Sequence, residues 1–374
     1  MAEGSVPFLD LGRSHAALAD ELDSVWRSSV EQSAFIGGAT VERFERHWAA
    51  RCESLHAVGV GNGTDAIELG LRAMGLGPGD EVIVPSNTFI ATVEAVIRAG
   101  ATPVLVDVEP SRLLLTGEHV RAAVTRRTAA VIAVHLYGQP VDADDLAAAC
   151  NAHGLALVED AAQAHLARWR GRGVGSFGAF AAFSFYPGKN LGAMGDAGAV
   201  VTSDAALAER ARALGNHGRS RHDHNEHDLV AMNSRLDALQ AAVLDVKLTS
   251  LSRWNEERRA LAAAYRELLV HPAIEHLGAA EGAEPVHHLE VVRVPCRDLV
   301  RAELSRRGVA TGIHYKRPCH LNPPYAAFAE GPLPVCEEAS ERMISLPIFP
   351  GMREDEVEHV CSSLLAALAA LHGG

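Results

Sequence analysis

The feature that most constrains this chain is a set of short apolar runs taking turns with longer amphipathic ones. "DEVIVPS", "TPVLVDVEP", "AAVIAVHLYG" and "LALVEDAAQAH" read as strands, the last running into polar residues. Between them, "TFIATVEAVIRAG" reads as a helix ending at Gly100 and "DADDLAAACNAHG" as one closed by Gly154. Strands this apolar must be covered on both faces, and helical crossovers are the ordinary way to join parallel neighbours. The expected fold class is α/β, a mostly parallel sheet covered by helices. From Asn233 the texture changes to a long helical run, "NSRLDALQAAVLDVKLTSLSRWNEERRALAAAYRELL", read as a spine between two lobes. Beyond it "HHLEVVRVP", "RAELSRRGV" and "ATGIHY" suggest a small α+β unit. Two units are expected, residues 1–248 and 249–374.

With 374 residues and 48% hydrophobic content the chain can bury a large core. A net charge of −13 argues against a nucleic-acid binder but allows an anionic small molecule held by local dipoles and a few basic side chains. The apolar runs stop short of the ~18 residues that cross a bilayer, and "MAEGSVPFLDLGRSH" lacks a basic flank followed by an apolar segment, so a cytoplasmic location is expected. Six cysteines show no CxxC spacing, which points to reduced, mostly packed thiols and away from structural zinc.

In open parallel sheets ligands collect beyond the carboxyl ends of the strands. Four places there stand out. In "VGVGNGTDAIELGLRAMG", Ile67, Leu71 and Met74 fall at helical spacing, placing a helix after Thr64, and Gly61 and Gly63 free the backbone before it. Such a helix start is a ready phosphate site; it is also simply a helix capped by Thr64 or Asp65. Asp160 closes a strand with Gln163 one helical turn later; taken alone, Asp160 reads as an N-cap. Phe89 opens a helix after a strand, where it stacks on a flat ring or packs in the core. Lys189 follows "AAFSFYPG", crowded by glycines and a proline and without an acid within four residues. A Walker A loop would need glycine at 183 and Ser or Thr at 190, where Phe183 and Asn190 stand. Glycines at 59, 61 and 63 do not spell GxGxxG either, which argues against the alternative of a nicotinamide-dependent sugar-nucleotide epimerase or dehydratase.

Together these fragments resemble the fold-type-I enzymes that use pyridoxal 5'-phosphate (PLP). More narrowly, "GNGTDA", "PSNTFIAT", "VEDAAQAH", "AFSFYPGKNLGAMGDAGAVVT" and "NSRLDALQAA" resemble the DegT/DnrJ/EryC1/StrS sugar aminotransferases, in order from near residue 8 to about 350. The resemblance implies that Lys189 forms the imine with the cofactor aldehyde and later shuttles a proton. A desolvated site lowers a lysine pKa from its ordinary ~10.4, as that chemistry needs. Asp160 would keep the ring nitrogen protonated. Gln163 would lie near the ring's 3' oxygen, Phe89 would stack on the ring, and Gly63, Thr64 and Ser184 would hold the phosphate. Asn233 resembles the asparagine that reaches the phosphate from a neighbouring subunit, which implies a homodimer. A non-catalytic regulatory relative would lose the lysine or the aspartate, and both are present.

Relatives with histidine at the lysine position are dehydratases, so Lys189 favours transamination. The resemblance implies L-glutamate as donor and a nucleotide-linked keto-6-deoxysugar, dTDP-linked by expectation, as acceptor. "FYPGKNLGA" favours carbon 3, with carbon 4 as the rival. Tyr186, His314, Tyr315 and Lys316 are candidates to contact the sugar nucleotide, with Lys316 and Arg317 offsetting pyrophosphate charge or simply solvated. Two departures stand out: Leu166 where relatives usually carry glycine, and Glu290 where an aromatic residue is common. The run "NHGRSRHDHNEHD" groups His217, His222, His224 and His227, but without metal-site spacing it reads as a loop near the active-site mouth.

Overall fold

The computed structural model describes residues 5–220, 223 and 225–372. In chain order its strands are β1 (His56–Val60), β2 (Glu81–Pro85), β3 (Thr102–Val106), β4 (Thr128–Val134), β5 (Ala156–Asp160), β6 (Arg168–Trp169), β7 (Arg172–Gly173), β8 (Phe180–Ser184), β9 (Gly198–Thr202), β10 (Glu275–His276), β11 (Ala283–Glu284), β12 (Glu290–Arg293) and β13 (Met343–Leu346). Seven form the central sheet in the order β1-β9-β8-β5-β4-β2-β3. β9 runs against both its neighbours, while the pairs from β8 through β5, β4 and β2 to β3 are parallel.

Period-two alternation divides the strands between two cores. Phe180 and Ala182 of β8 and Val200 of β9 join one buried cluster, whereas Ala181, Phe183, Ala199 and Val201 join another. Both faces are therefore covered, as the apolar runs require. Register sets Asp160 beside Val134 on one side and Ala182 on the other, so the ends of β4, β5 and β8 open on common ground.

The helix signals read from the sequence hold at Ala143–His153, where Asp142 caps Asp145 N–H at 3.0 Å and Gly154 ends the helix in the left-handed region at φ 67°. The spine does not. It is two helices, Ala238–Leu248 and Leu251–Leu268, interrupted at Thr249–Ser250, and residues 233–237 lie outside both. Leu248 and Leu251, on either side of the break, are both buried in the cluster that also holds Phe183 and Val201 of the sheet.

The last third packs its own core around the antiparallel sheet β10-β12-β13, with Tyr265, Val292, Leu304, Phe349 and Leu364 buried together. Val6 bridges Val309 and is buried in the same cluster, so the N-terminal segment packs with the C-terminal part. All six cysteines are free thiols, five of them buried and Cys296 exposed. Among the described residues no helix is long and apolar enough to cross a membrane.

Candidate active site

Asp160 ends β5 and is followed by turns instead of a helix, so it does not serve as an N-cap. The residue is 6% exposed and its carboxylate is spoken for: Oδ1 accepts from Ala162 N–H at 3.2 Å and Oδ2 from Thr92 Oγ1 at 2.7 Å. Thr92 belongs to the helix Ile90–Arg98 that follows β2, and its hydroxyl lies 2.8 Å from that of Thr88. Gln163 accepts from Tyr137 N–H at 2.6 Å and donates to the Tyr315 hydroxyl at 3.1 Å, which orients its amide.

The second element starts where β1 ends. The helix Gly63–Ala73 is capped by Asn62, whose Oδ1 accepts from Asp65 N–H at 2.9 Å, and not by Thr64 or Asp65 as the sequence suggested. Its N–H groups at Gly63 and Thr64 have no intrahelical acceptor, and its positive dipole end faces outward. Glycine is required at 63, because a Cβ there would come 2.7 Å from Ser184 Cβ. The backbone thus lies bare beside the Ser184 hydroxyl, and the two together suit a phosphate.

Lys189 sits in a loop closed by Lys189 N–H to the Tyr186 carbonyl and Ala193 N–H to the Phe185 carbonyl, both 2.8 Å. Gly192 lies so close that a Cβ would stand 2.2 Å from the Pro187 carbonyl oxygen, which holds the loop tight. Burial pushes the Lys189 ammonium down to about 8, against the opposing pull of Asp160. Beneath the loop the aromatic packing of Phe44, Trp48, Phe183, Phe185 and His165 makes the floor rigid.

These parts face one cavity of about 450 Å³, lined by Gly63, Thr64, Phe89, Asp160, Gln163, Ser184, Tyr186, Lys189, His314 and Tyr315 among others. Ten of the twelve site residues expected from the sequence therefore meet there. Phe89 is 53% exposed with its ring 5.6 Å from that of Tyr315, so it belongs to the cavity wall and not to the core. His314 stacks on Phe8 at 5.7 Å and bonds Ser345 Oγ through Nδ1, and burial near Lys189 holds its ring at about 4. Asn233 and Lys316 are exposed and lie outside this chain's own cavity. His222 and His224 fall outside the described residues; His227 Nδ1 bonds the His217 carbonyl, and no described residue of 217–229 lines the cavity. Leu166 adopts φ 67°, a left-handed backbone that favours glycine.

Sequence reasoning missed Thr88, Thr92, Phe8, Arg258 and His288. The spacing of Thr88 and Thr92 by one helical turn was a usable signal for the first two. Phe8, Arg258 and His288 reach the cavity from distant parts of the chain and carry no local mark.

A mostly parallel sheet with a lysine and an aspartate beyond its carboxyl ends, facing a smaller antiparallel lobe, is the architecture of the fold-type-I transferases. The chain belongs to the DegT/DnrJ/EryC1/StrS aminotransferase family, whose sequence profile matches residues 17–365. It is 47% identical over 362 residues to the dTDP-3-amino-3,4,6-trideoxy-alpha-D-glucose transaminase of Streptomyces venezuelae, covering 96% of this chain and 95% of that one. Among solved structures it resembles S. venezuelae DesV in complex with a ketimine intermediate, with TM-score 0.94, 47% identity and 97% and 98% coverage. It also resembles NtdA of Bacillus subtilis with bound cofactor PMP, with TM-score 0.90, 29% identity and 99% and 86% coverage.

Proposed function

We propose that the chain is a PLP-dependent transaminase that moves an amino group from L-glutamate to carbon 3 of a dTDP-linked keto-6-deoxysugar. The observation that carries this reading is the meeting in one cavity of a lysine held near neutrality, a buried carboxylate and a bare helix start. The name of the S. venezuelae relative supports the nucleotide and the position of the nitrogen.

The residues present fit the cofactor. Gly63 leaves the cradle open beside Ser184, and Gly63, Thr64 and Ser184 would hold the phosphate. Asp160, held by Thr92 and Ala162, would face the ring nitrogen; Gln163 would meet the ring oxygen, and Phe89 would cover one face. When bound, the cofactor supplies the aldehyde that takes up the amino group and the ring that stores the electron pair freed with the α-proton. Asp160 would keep a proton on the ring nitrogen, and its hydrogen bonds from Thr92 and Ala162 hold the carboxylate in place for that task. Lys189, with a pKa of about 8, both accepts and returns a proton near neutral pH. Tyr186, His314 and Tyr315 line the mouth where the sugar nucleotide would lie.

We read the chain as two units, 1–248 and 249–374, with the cavity between them, since Arg258, His288, His314 and Tyr315 line it from the second. The working form is a homodimer in which Asn233 reaches the cavity of the other copy, while Lys316, next to Tyr315 of the cavity wall, would offset pyrophosphate charge. The position of Asn233 outside its own cavity supports this, as do exposed Phe35, Ile36, Met194 and Val230. Free, mostly buried thiols suit the cytoplasm.

The test is an absorbance titration of cofactor-loaded protein. The visible-edge band should vanish with L-glutamate and return with a 3-keto dTDP-sugar; return with the 4-keto isomer alone would move the nitrogen to carbon 4. Borohydride reduction followed by mass spectrometry should find the cofactor mass on Lys189, and an unmodified Lys189 in loaded protein would sink the proposal.

A further inference from the structure

His288 lines the cavity, and the chain dictates which of its ring nitrogens carries hydrogen. Backbone carbonyls can only accept. Asn255 Nδ2 donates to the His165 carbonyl at 2.9 Å, so Asn255 Oδ1 faces the other way. Asn190 Nδ2 donates to that Oδ1 at 2.9 Å and to the Val286 carbonyl at 3.0 Å, which uses both amide hydrogens. Asn190 Oδ1 is left as the acceptor that meets His288 Nδ1 at 3.1 Å, so Nδ1 must be the protonated nitrogen. Burial beside Lys189 and Arg258 holds the ring well below its ordinary pKa, so it is neutral. Nε2 then bears a lone pair, has no partner among the described residues and is open to the cavity. The backbone behind it is pinned by Arg258 Nη1, which donates to the carbonyls of His287, His288 and Ile348 at 3.2, 3.3 and 2.9 Å.

We propose that His288 Nε2 is a built-in acceptor for a hydroxyl of the hexose, and that it helps set which sugars the enzyme takes. This rests on the nucleotide-sugar reading above. Carboxylate, phosphate and keto oxygens offer only lone pairs and would be repelled by Nε2. An ammonium group would donate, but it would have to sit beside the Arg258 guanidinium, itself a cation. A hydroxyl suits the place, since it donates to Nε2 without carrying charge. Because the lone pair is held by a chain of hydrogen bonds, a ligand lacking that hydroxyl leaves it unpaired.

Two variants separate the acceptor from the scaffold. His288→Asn keeps an N–H near Nδ1 and removes the acceptor at Nε2; His288→Gln keeps a carbonyl oxygen near Nε2. With the two half-reactions followed separately by absorbance, H288N should weaken dTDP-ketosugar binding roughly 10- to 100-fold and leave the L-glutamate half-reaction within about twofold. H288Q should recover most of the sugar affinity. Equal loss in both half-reactions, loss confined to glutamate, an unchanged sugar affinity, or H288Q no better than H288N would each overturn the proposal. Nitrogen-15 NMR of histidine-labelled wild-type holoenzyme gives a readout that needs no variant. His288 should show a protonated Nδ1 and a bare Nε2 whose resonance moves on adding the ketosugar nucleotide. The opposite tautomer, a doubly protonated ring or an unmoved resonance would overturn it. If no nucleotide sugar supports wild-type turnover, the functional reading fails, whereas the tautomer stands or falls by the spectrum alone.

Discussion

Two buried lysines occupy opposite kinds of surroundings. Lys189, in the loop after β8, and Lys247, in the helix Ala238–Leu248, are both pushed by burial down to about 8. The Lys247 ammonium finds its partners within the protein: Nζ donates to the Gly192 carbonyl at 2.7 Å and meets His15 Nε2 at 2.9 Å. Burial and the charge of Lys247 keep the His15 ring low and neutral, so it is free to accept. Lys189 lines the cavity, and its Nζ has no hydrogen-bond partner among the described residues. A depressed pKa therefore marks burial; chemistry also needs an open approach and a partner beyond the chain. Lys247 has instead a structural task, tying the helix Leu11–Ala16 to the loop that carries Lys189.

The sharpest way to break this contrast is to remove each amine in turn. Lys189→Ala should lower kcat by roughly 10⁴-fold or more, while Lys247→Met should keep it within about tenfold, both read from single turnovers with L-glutamate. Comparable losses in the two would end the distinction. Asp160→Asn should keep the fold and bind cofactor yet lose about 10²- to 10³-fold in kcat, because an amide gives no charge to hold the ring proton.

The next effect is on stability. Both lysines shift from an ordinary 10.5 to about 8, so between these values the unfolded chain holds protons that the native chain has shed. Stability should rise with pH across that window and be insensitive to these groups below it. For Lys247, 3% exposed, the share is about 3 kcal/mol. Denaturant melts of K247M should lose that part of the slope, and an unchanged slope would mean that Lys247 is not depressed.

The smallest effect sharpens the reading of Lys189. Cofactor capture by the apo-protein needs the free amine, so its rate should climb about tenfold per pH unit and level off near pH 8, where a normal lysine would climb to 10.5. A stopped-flow pH series reads this directly.

Much of the site was legible because each essential group stands at the end of its own strand. Asp160 closes β5, Ser184 closes β8 five residues before Lys189, and Gly63 opens the helix after β1. Local spacing announces such places, and the family resemblance supplied their roles. What escaped lies across long separations. Thr92 reaches Asp160 over 68 residues and His288 reaches Asn190 over 98. The split of the spine escaped too, because Thr249 keeps a right-handed backbone and leaves the helical periodicity nearly unbroken.

By itself the amino-acid sequence determined most of the strands and helices, the two-sided burial of the strands and the kinds of reactive group present. These follow from backbone hydrogen bonding and side-chain periodicity over a few residues. Only the tertiary structure decided which groups meet and which protons they hold. The strand order seats β5 between β4 and β8, and the enclosure so formed strips water from Lys189 and His288. Desolvation and long-range hydrogen bonds depend on the whole fold, so no short stretch of chain encodes them.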